Sequence, residues 1–205
     1  MKKLSSSFYL NEDVCDAAIK LLGKVLYTNF DGQKCSGIIV ETEAYAGYND
    51  KACHANNGKR SPRTEIFYSA GGVSYVYICY GIHHLFNVIT NKKNRADAVL
   101  IRVLEPIDGI ETMLLRRNKL KIDNSLTKGP GSLALAMGIS KKHNGISLQG
   151  NEIWIEDHHI KYSQKDIIRT ARIGCENSGA DGLRPWRYYV KNNAFVSGNR
   201  LQNLY

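Results

Sequence analysis

The side chains best suited to chemistry in this chain are carboxylates set in apolar surroundings. Glu41 and Glu43 alternate within the run Ile38-Ile-Val-Glu-Thr-Glu-Ala-Tyr45, and Asp50 follows in the next loop. Side chains two apart on a strand share a face, so Ile39, Glu41, Glu43 and Tyr45 are expected together. Strand and loop carboxylates can hold magnesium, which gives one reading: a metal-dependent nuclease using Glu41, Glu43 and Asp50. Without a partner each is an ordinary surface carboxylate. Histidines and cysteines adjoin at Cys53-His54, His83-His84 and His158-His159, but none has the spacing of a helical metal site and there is no C-x-x-C. No metal and no cofactor is expected. Arg102 stands in the apolar run Ala98–Leu104, where a guanidinium is costly unless it is paired.

The charge balance names a class of partner. Lys and Arg number 28 against 19 Asp and Glu, a net charge of +9. That excess favours a polyanion, either nucleic acid or an anionic membrane. No apolar window is long enough for a transmembrane helix, and residues 1–10 lack the apolar core of a signal peptide. Five widely spread cysteines fit a reduced cytoplasmic protein. With 43% hydrophobic and 23% charged residues, 205 residues suffice for one well-filled core.

These groups must be held by elements that the sequence also marks. Asn11, followed by Glu12 and Asp13, reads as an N-cap; Val14, Ala17, Ala18, Leu21 and Leu22 then recur at helical spacing up to Gly23. Residues 24–30 and 35–45 read as strands around the hairpin signal Asp31-Gly32. Residues 46–72 form a long loop carrying Lys59, Arg60 and Arg63, and a loop of that length is often functional. Strands are expected at 75–80 and 85–90, with Tyr80 and Gly81 near a hairpin tip, then at 98–104, 152–156 and 186–190. Helices are expected at 109–118 and 132–137. The result is one α+β domain over residues 1–205 with antiparallel pairings.

The run Glu41-Thr-Glu43-Ala-Tyr45-x-Gly47-x-x-Asp50-x-Ala52-x-His54 is more specific than any of these patterns. It resembles the alkyladenine (3-methyladenine, or methylpurine) DNA glycosylase family of mammals and many bacteria. Further matches follow in that family's order: Arg60-Ser-Pro62-Arg63, Tyr75-Val-Tyr77, Tyr80-Gly81, Asn87, the segment from Ala98 to Pro106, and Gly129-Pro130-Gly131-x-Leu133. Asn144-Gly145, Ala171-Arg172-Ile173-Gly174, Arg187-Tyr188-Tyr189 and Phe195-Val196-Ser197 complete the set. The resemblance implies a single domain with a curved antiparallel sheet, flanking helices and a protruding hairpin. It implies a monofunctional glycosylase of base-excision repair that flips damaged purines out of double-stranded DNA and hydrolyses the N-glycosidic bond, leaving an abasic site. The lesions implied are 3-methyladenine, 7-methylguanine and hypoxanthine. A monomer suffices for this.

By the same resemblance Glu43 is the general base, and Glu41 is left to a structural ion pair or hydrogen bond. Arg102 helps hold the attacking water. The backbone carbonyl of Ile173 completes the water site, its side chain being read as core. Tyr45, His54 and Tyr77 wall the base pocket, with backbone groups around Ala52 and His54 serving the base itself. Asn87 rejects normal guanine. Tyr80 is the wedge that enters the duplex, supported by Ile82. Lys59, Arg60, Arg63, Arg184, Arg187 and Lys191 are collective candidates for phosphate contacts.

Three departures stand out: Ser69-Ala-Gly-Gly-Val73 in place of a proline-containing turn, a segment from Asn91 to Asp97 without glycine, and Tyr188 where phenylalanine is usual. The alternative reading is a nucleic-acid-binding domain of the same architecture without turnover.

Overall fold

Asp31 and Gly32 both take positive φ (53° and 78°), and Phe30 pairs with Gln33 across them. This two-residue turn matches the twist of the flanking strands, which is why an Asp-Gly pair closes the first hairpin. The computed structural model describes residues 2–196. Met1 and residues 197–205 lie outside them, including Ser197 of the last motif.

Among the described residues nine strands form one open sheet: β1 (Lys2–Lys3), β2 (Val25–Phe30), β3 (Gln33–Tyr45), β4 (Ser74–Cys79), β5 (His83–Thr90), β6 (Asp97–Asp108), β7 (Ile153–Asp157), β8 (Ile167–Thr170) and β9 (Arg187–Val190). Their order is β1-β7-β2-β3-β6-β5-β4, and β9 pairs with both β3 and β8. Every named pairing is antiparallel. The helices are α1 (Ser6–Tyr9), α2 (Val14–Leu21), α3 (Ile110–Arg116) and α4 (Pro130–Met137). The expected fold class, a single α+β domain on an antiparallel sheet, is the observed one.

Local signals hold with small shifts. The N-cap of α2 is Asp13 rather than Asn11; its carboxylate accepts from the Cys15 and Asp16 amides, while Asn11 Oδ1 accepts from Asp13 N. Gly23 follows the helix at φ 81°, as a C′ residue should. Strand β6 runs to Asp108, beyond the expected end at 104, because its outer half pairs with β3. Strand β8 carries no alternating pattern and was not expected; it exists by pairing with β9.

The main core packs α2 and α4 on one face of the sheet, with Leu21, Leu26, Ile39, Phe86, Ile101, Leu104, Met113 and Leu133 buried. A second cluster, including Phe67, Tyr68, Tyr75, Ile89 and Ala98, has Tyr45 and Tyr77 packed against it.

Between these layers β3 departs from regular alternation. The β3–β6 register shifts on either side of Glu41. Ile39 and Ala44 both belong to the main core, and Thr42 Oγ1 bonds to Ala18 O of α2. Ile39 therefore faces the helices, whereas Glu41, Glu43 and Tyr45 face the other way. The expected sharing of one face by Ile39 and the carboxylates is corrected by this bulge, a device that re-aims side chains beside functional sites.

Candidate active site

Register aligns the site across the sheet. Tyr75 pairs with Asn87, Asn87 with Leu100, Leu100 with Glu43, and Glu43 with Arg187. Paired residues point to the same side, so one row carries the tyrosine, the amide and the carboxylate to a common face. A cleft of about 670 Å³ opens there, lined by Tyr45, Ala52, His54, Tyr77, Tyr80, Asn87, Arg102 and Ile173, among others. Its far rim is Gly129-Pro130-Gly131 at the start of α4, where Gly131 abuts the His83 ring.

Glu43 is 0% exposed and lies behind the cleft wall. Oε1 is 2.8 Å from the Ile173 amide N and 3.1 Å from Arg102 Nη1, and Oε2 accepts from Tyr45 Oη at 2.7 Å. All three partners line the cleft. Burial, and then the Glu43 charge, hold the Tyr45 hydroxyl well above its ordinary pKa, so Tyr45 stays the donor. Arg102 is also bound at Nε to Glu41 Oε1, at 2.8 Å. Burial alone would lower the pKa of Arg102; Glu43 and Glu41 outweigh it and raise it. Glu41 takes a second guanidinium, Arg187 Nε at 2.8 Å. Glu41 is thus an ion-pair anchor, as expected.

Two details differ from the sequence reading, the Ile173 side chain and Arg187, and two more add to it. Ile173 reaches Glu43 through its N–H, and its carbonyl accepts from Cys175 Sγ at 4.0 Å. The Ile173 side chain is 40% exposed at the cleft and not in the core. The Ala52 N–H donates to Asp50 Oδ1 at 3.2 Å. Arg187, grouped with the phosphate contacts, is 5% exposed and turned inward, because the buried Glu41 carboxylate holds its guanidinium.

The aromatic wall is built from β4 and the 46–72 loop. The Tyr75 and Tyr77 rings stack with centroids 5.4 Å apart, and His54 meets Tyr77 edge-on at 4.8 Å. His54 Nδ1 lies 2.9 Å from Tyr75 Oη. Burial, then Arg63 and Lys59, push the pKa of His54 down to about 4, so the ring is neutral at pH 7. The His54 backbone N–H finds no acceptor among the described residues. Arg63 reaches into this wall: Nη2 is 3.1 Å from His54 Nε2, and the guanidinium lies 5.2 Å from the Tyr77 ring centre. Asn87 is buried beneath the cleft and donates to Tyr75 O at 3.1 Å.

Beside the cleft stands the β4–β5 hairpin. Ile82 N bonds to Cys79 O across Tyr80 (φ 51°) and Gly81 (φ 75°). A tyrosine at positive φ is uncommon and costs conformational energy. Tyr80 is 88% and Ile82 72% exposed, so nothing in the fold compensates by burying them. Among the remaining basic candidates, Arg60 pairs with Glu65 and Arg184 with Asp181, while Lys59 and Lys191 are exposed without a carboxylate partner among the described residues.

The three carboxylates considered for a metal do not converge. Glu41 is bound by Arg102 and Arg187, Glu43 by Arg102, and Asp50 by Arg172 at 2.7 Å. Sequence reasoning missed this last pair, although Arg172 lies inside a matched motif. Among the described residues no group of three or more His, Cys, Asp and Glu could hold a metal ion, and no helix is long and apolar enough to cross a membrane.

An open antiparallel sheet thus carries a carboxylate behind an aromatic cleft and an exposed aromatic hairpin beside it. Residues 7–194 match the methylpurine-DNA glycosylase (MPG) family, and the chain belongs to that family. It is 46% identical over 200 residues to a Bacillus cereus (strain G9842) protein, covering 93% of this chain and 97% of that one. It is 41% identical over 204 residues to a Desulfitobacterium hafniense (strain Y51) protein, covering 96% and 99%. A Clostridium perfringens (strain 13 / Type A) protein is 42% identical over 203 residues, covering 95% and 98%. All three bear the name "Putative 3-methyladenine DNA glycosylase". The enzyme class is therefore that of a DNA-3-methyladenine glycosylase, with DNA as its substrate.

Proposed function

We propose that the chain flips alkylated or deaminated purines out of double-stranded DNA and hydrolyses their N-glycosidic bonds with Glu43 as general base. The observation that carries this reading is the arrangement of Glu43 itself. A fully buried carboxylate is costly unless it is paired, and this one is held by three donors that all line one aromatic cleft. Oε1 takes two donors and is filled; Oε2 takes one and keeps a lone pair for a water hydrogen. The reactive oxygen is then Oε2, on the side of Tyr45.

Cleavage of the glycosidic bond passes through an oxocarbenium-like transition state. Glu43 serves it twice, by taking the proton of the attacking water and by facing the positive sugar. Arg102 would oppose that charge if it stood alone. Glu41, Glu43, Arg102 and Arg187 carry two negative and two positive charges, so the group presents no net cation to the sugar.

A flipped purine needs flat walls, which Tyr45, His54 and Tyr77 offer. Purines alkylated at N3 or N7 are already cationic and leave without acid assistance. Hypoxanthine is neutral and needs a donor, and the unused His54 N–H is the one at hand. Asn87 bars the exocyclic amine of guanine from the cleft floor. Tyr80, with Ile82, fills the gap in the duplex.

The test is Glu43→Gln, assayed on duplexes carrying one hypoxanthine or one 7-methylguanine. Base release should vanish while lesion binding persists; undiminished release by this variant rejects the reading.

A further inference from the structure

We infer that the buried pair Asp50–Arg172 is a positioning device that holds Glu43 and Tyr45 in their reactive geometry. The inference rests on the assignment of Glu43 as the base.

Both side chains of the pair are wholly buried. Arg172 Nη1 and Nη2 each lie 2.7 Å from one oxygen of Asp50, a two-pronged match of guanidinium to carboxylate. The same nitrogens donate to Ala44 O and Asp181 O, each at 2.8 Å. Asp50 in turn accepts from the amides of Ala46 (3.1 Å) and Ala52 (3.2 Å). Three segments are clasped by one ion pair: the end of β3, the loop that carries His54, and the segment beginning at Arg172.

The consequence lies one peptide away. The residue after Arg172 is Ile173, whose N–H is the 2.8 Å donor to Glu43 Oε1. The Arg172 guanidinium also lies over the Tyr45 ring, 4.7 Å from its centre, and Tyr45 is the donor to Glu43 Oε2. Arg172 thus bears on both oxygens of the carboxylate without touching the cleft. A buried ion pair is a poor way to gain stability, since apolar residues of similar volume often serve as well or better. Its distinctive property is fixed direction: two forks locked against each other leave the following amide no freedom to turn from Glu43.

The experiment compares Arg172→Lys, the apolar double variant Asp50→Leu/Arg172→Met, and Glu43→Gln in the full chain. It measures single-turnover base release, affinity for lesion DNA and thermal midpoint. Arg172→Lys keeps the charge but loses the fork, and should slow release about 100-fold, the cost of a small misplacement of a reacting group. Lesion affinity should change less than threefold. The apolar pair should recover the thermal midpoint and not the rate. Wild-type release by the apolar pair, or equal losses of affinity and rate in Arg172→Lys, would overturn the inference. If Glu43→Gln itself releases base normally, the assignment of the base fails instead.

Discussion

Arg102 lies between two carboxylates, its Nε 2.8 Å from Glu41 and its Nη1 3.1 Å from Glu43. Glu41 and Glu43 alternate along one strand and both bond Arg102, but the other partners of Glu43, Tyr45 and Ile173, line the cleft, whereas Arg187, the second guanidinium on Glu41, does not. Glu41 is enclosed by two guanidiniums and serves to aim Arg102; Glu43 shares its remaining partners with the cleft. Glu41→Gln should therefore act on folding first. Removing one partner of a buried ion pair costs about 3–5 kcal/mol. Denaturant titration should show that loss, and base release should fall less than in Glu43→Gln. A Glu41→Gln enzyme of unchanged stability would contradict its role as an anchor.

Tyr80 offers a separation of folding from function. It is exposed and sits at φ 51°, where glycine is at ease. Tyr80→Gly should leave stability unchanged or raise it by up to about 1 kcal/mol. Release from a paired lesion should nevertheless fall, and fall less when the lesion lies in an unpaired stretch that needs little prising open. Equal rates for wild type and variant on the paired duplex would remove the wedge from the mechanism.

The basic residues divide by burial. Arg187→Ala should destabilise the fold by about 3–5 kcal/mol through Glu41, with no characteristic change in salt dependence. Lys59→Ala and Lys191→Ala should leave the thermal midpoint in place. Each of the two that meets a phosphate should lower the slope of log K against log salt by about 0.9. Binding titrations from low to moderate salt, run on all three variants, decide the matter; a reduced slope for Arg187→Ala alone would reverse the assignment.

His54 gives a pH signature. Its folded pKa of about 4 lies below the ordinary 6.5 because of burial, Arg63 and Lys59. Above pH 6.5 it is neutral in both folded and unfolded chains. Between 6.5 and 4 the unfolded chain takes up a proton that the folded chain lacks, so stability falls as pH falls. Below 4 both states are protonated and the loss stops growing. The full effect is at most about 3 kcal/mol. Chemical denaturation of wild type and His54→Gln across that window should give the steeper decline in wild type; parallel curves would exclude a neutral, buried imidazole.

Sequence alone carried the features whose causes are local. The Asp31-Gly32 turn and helix α2 with its Gly23 stop follow from backbone preferences within a few residues, and the place of the Tyr80-Gly81 tip from the two β-rich runs that flank it; structure changed them only in detail. The motif from Glu41 to His54 carried the family. What the chain could not show by itself depends on residues far apart in sequence meeting across the sheet. The row Tyr75–Asn87–Leu100–Glu43–Arg187 exists only once β4, β5, β6, β3 and β9 are in register. The bulge at Glu41 turns Ile39 away from the carboxylates, and no pattern of alternating residues announces it. Arg187 looks like any surface cation until Glu41 is brought to meet it, 146 positions away. Asp50 and Arg172, 122 positions apart, likewise become one object only on folding. Charge reads as surface in a linear chain because water is its default partner; tertiary structure alone decides which charges exchange water for each other.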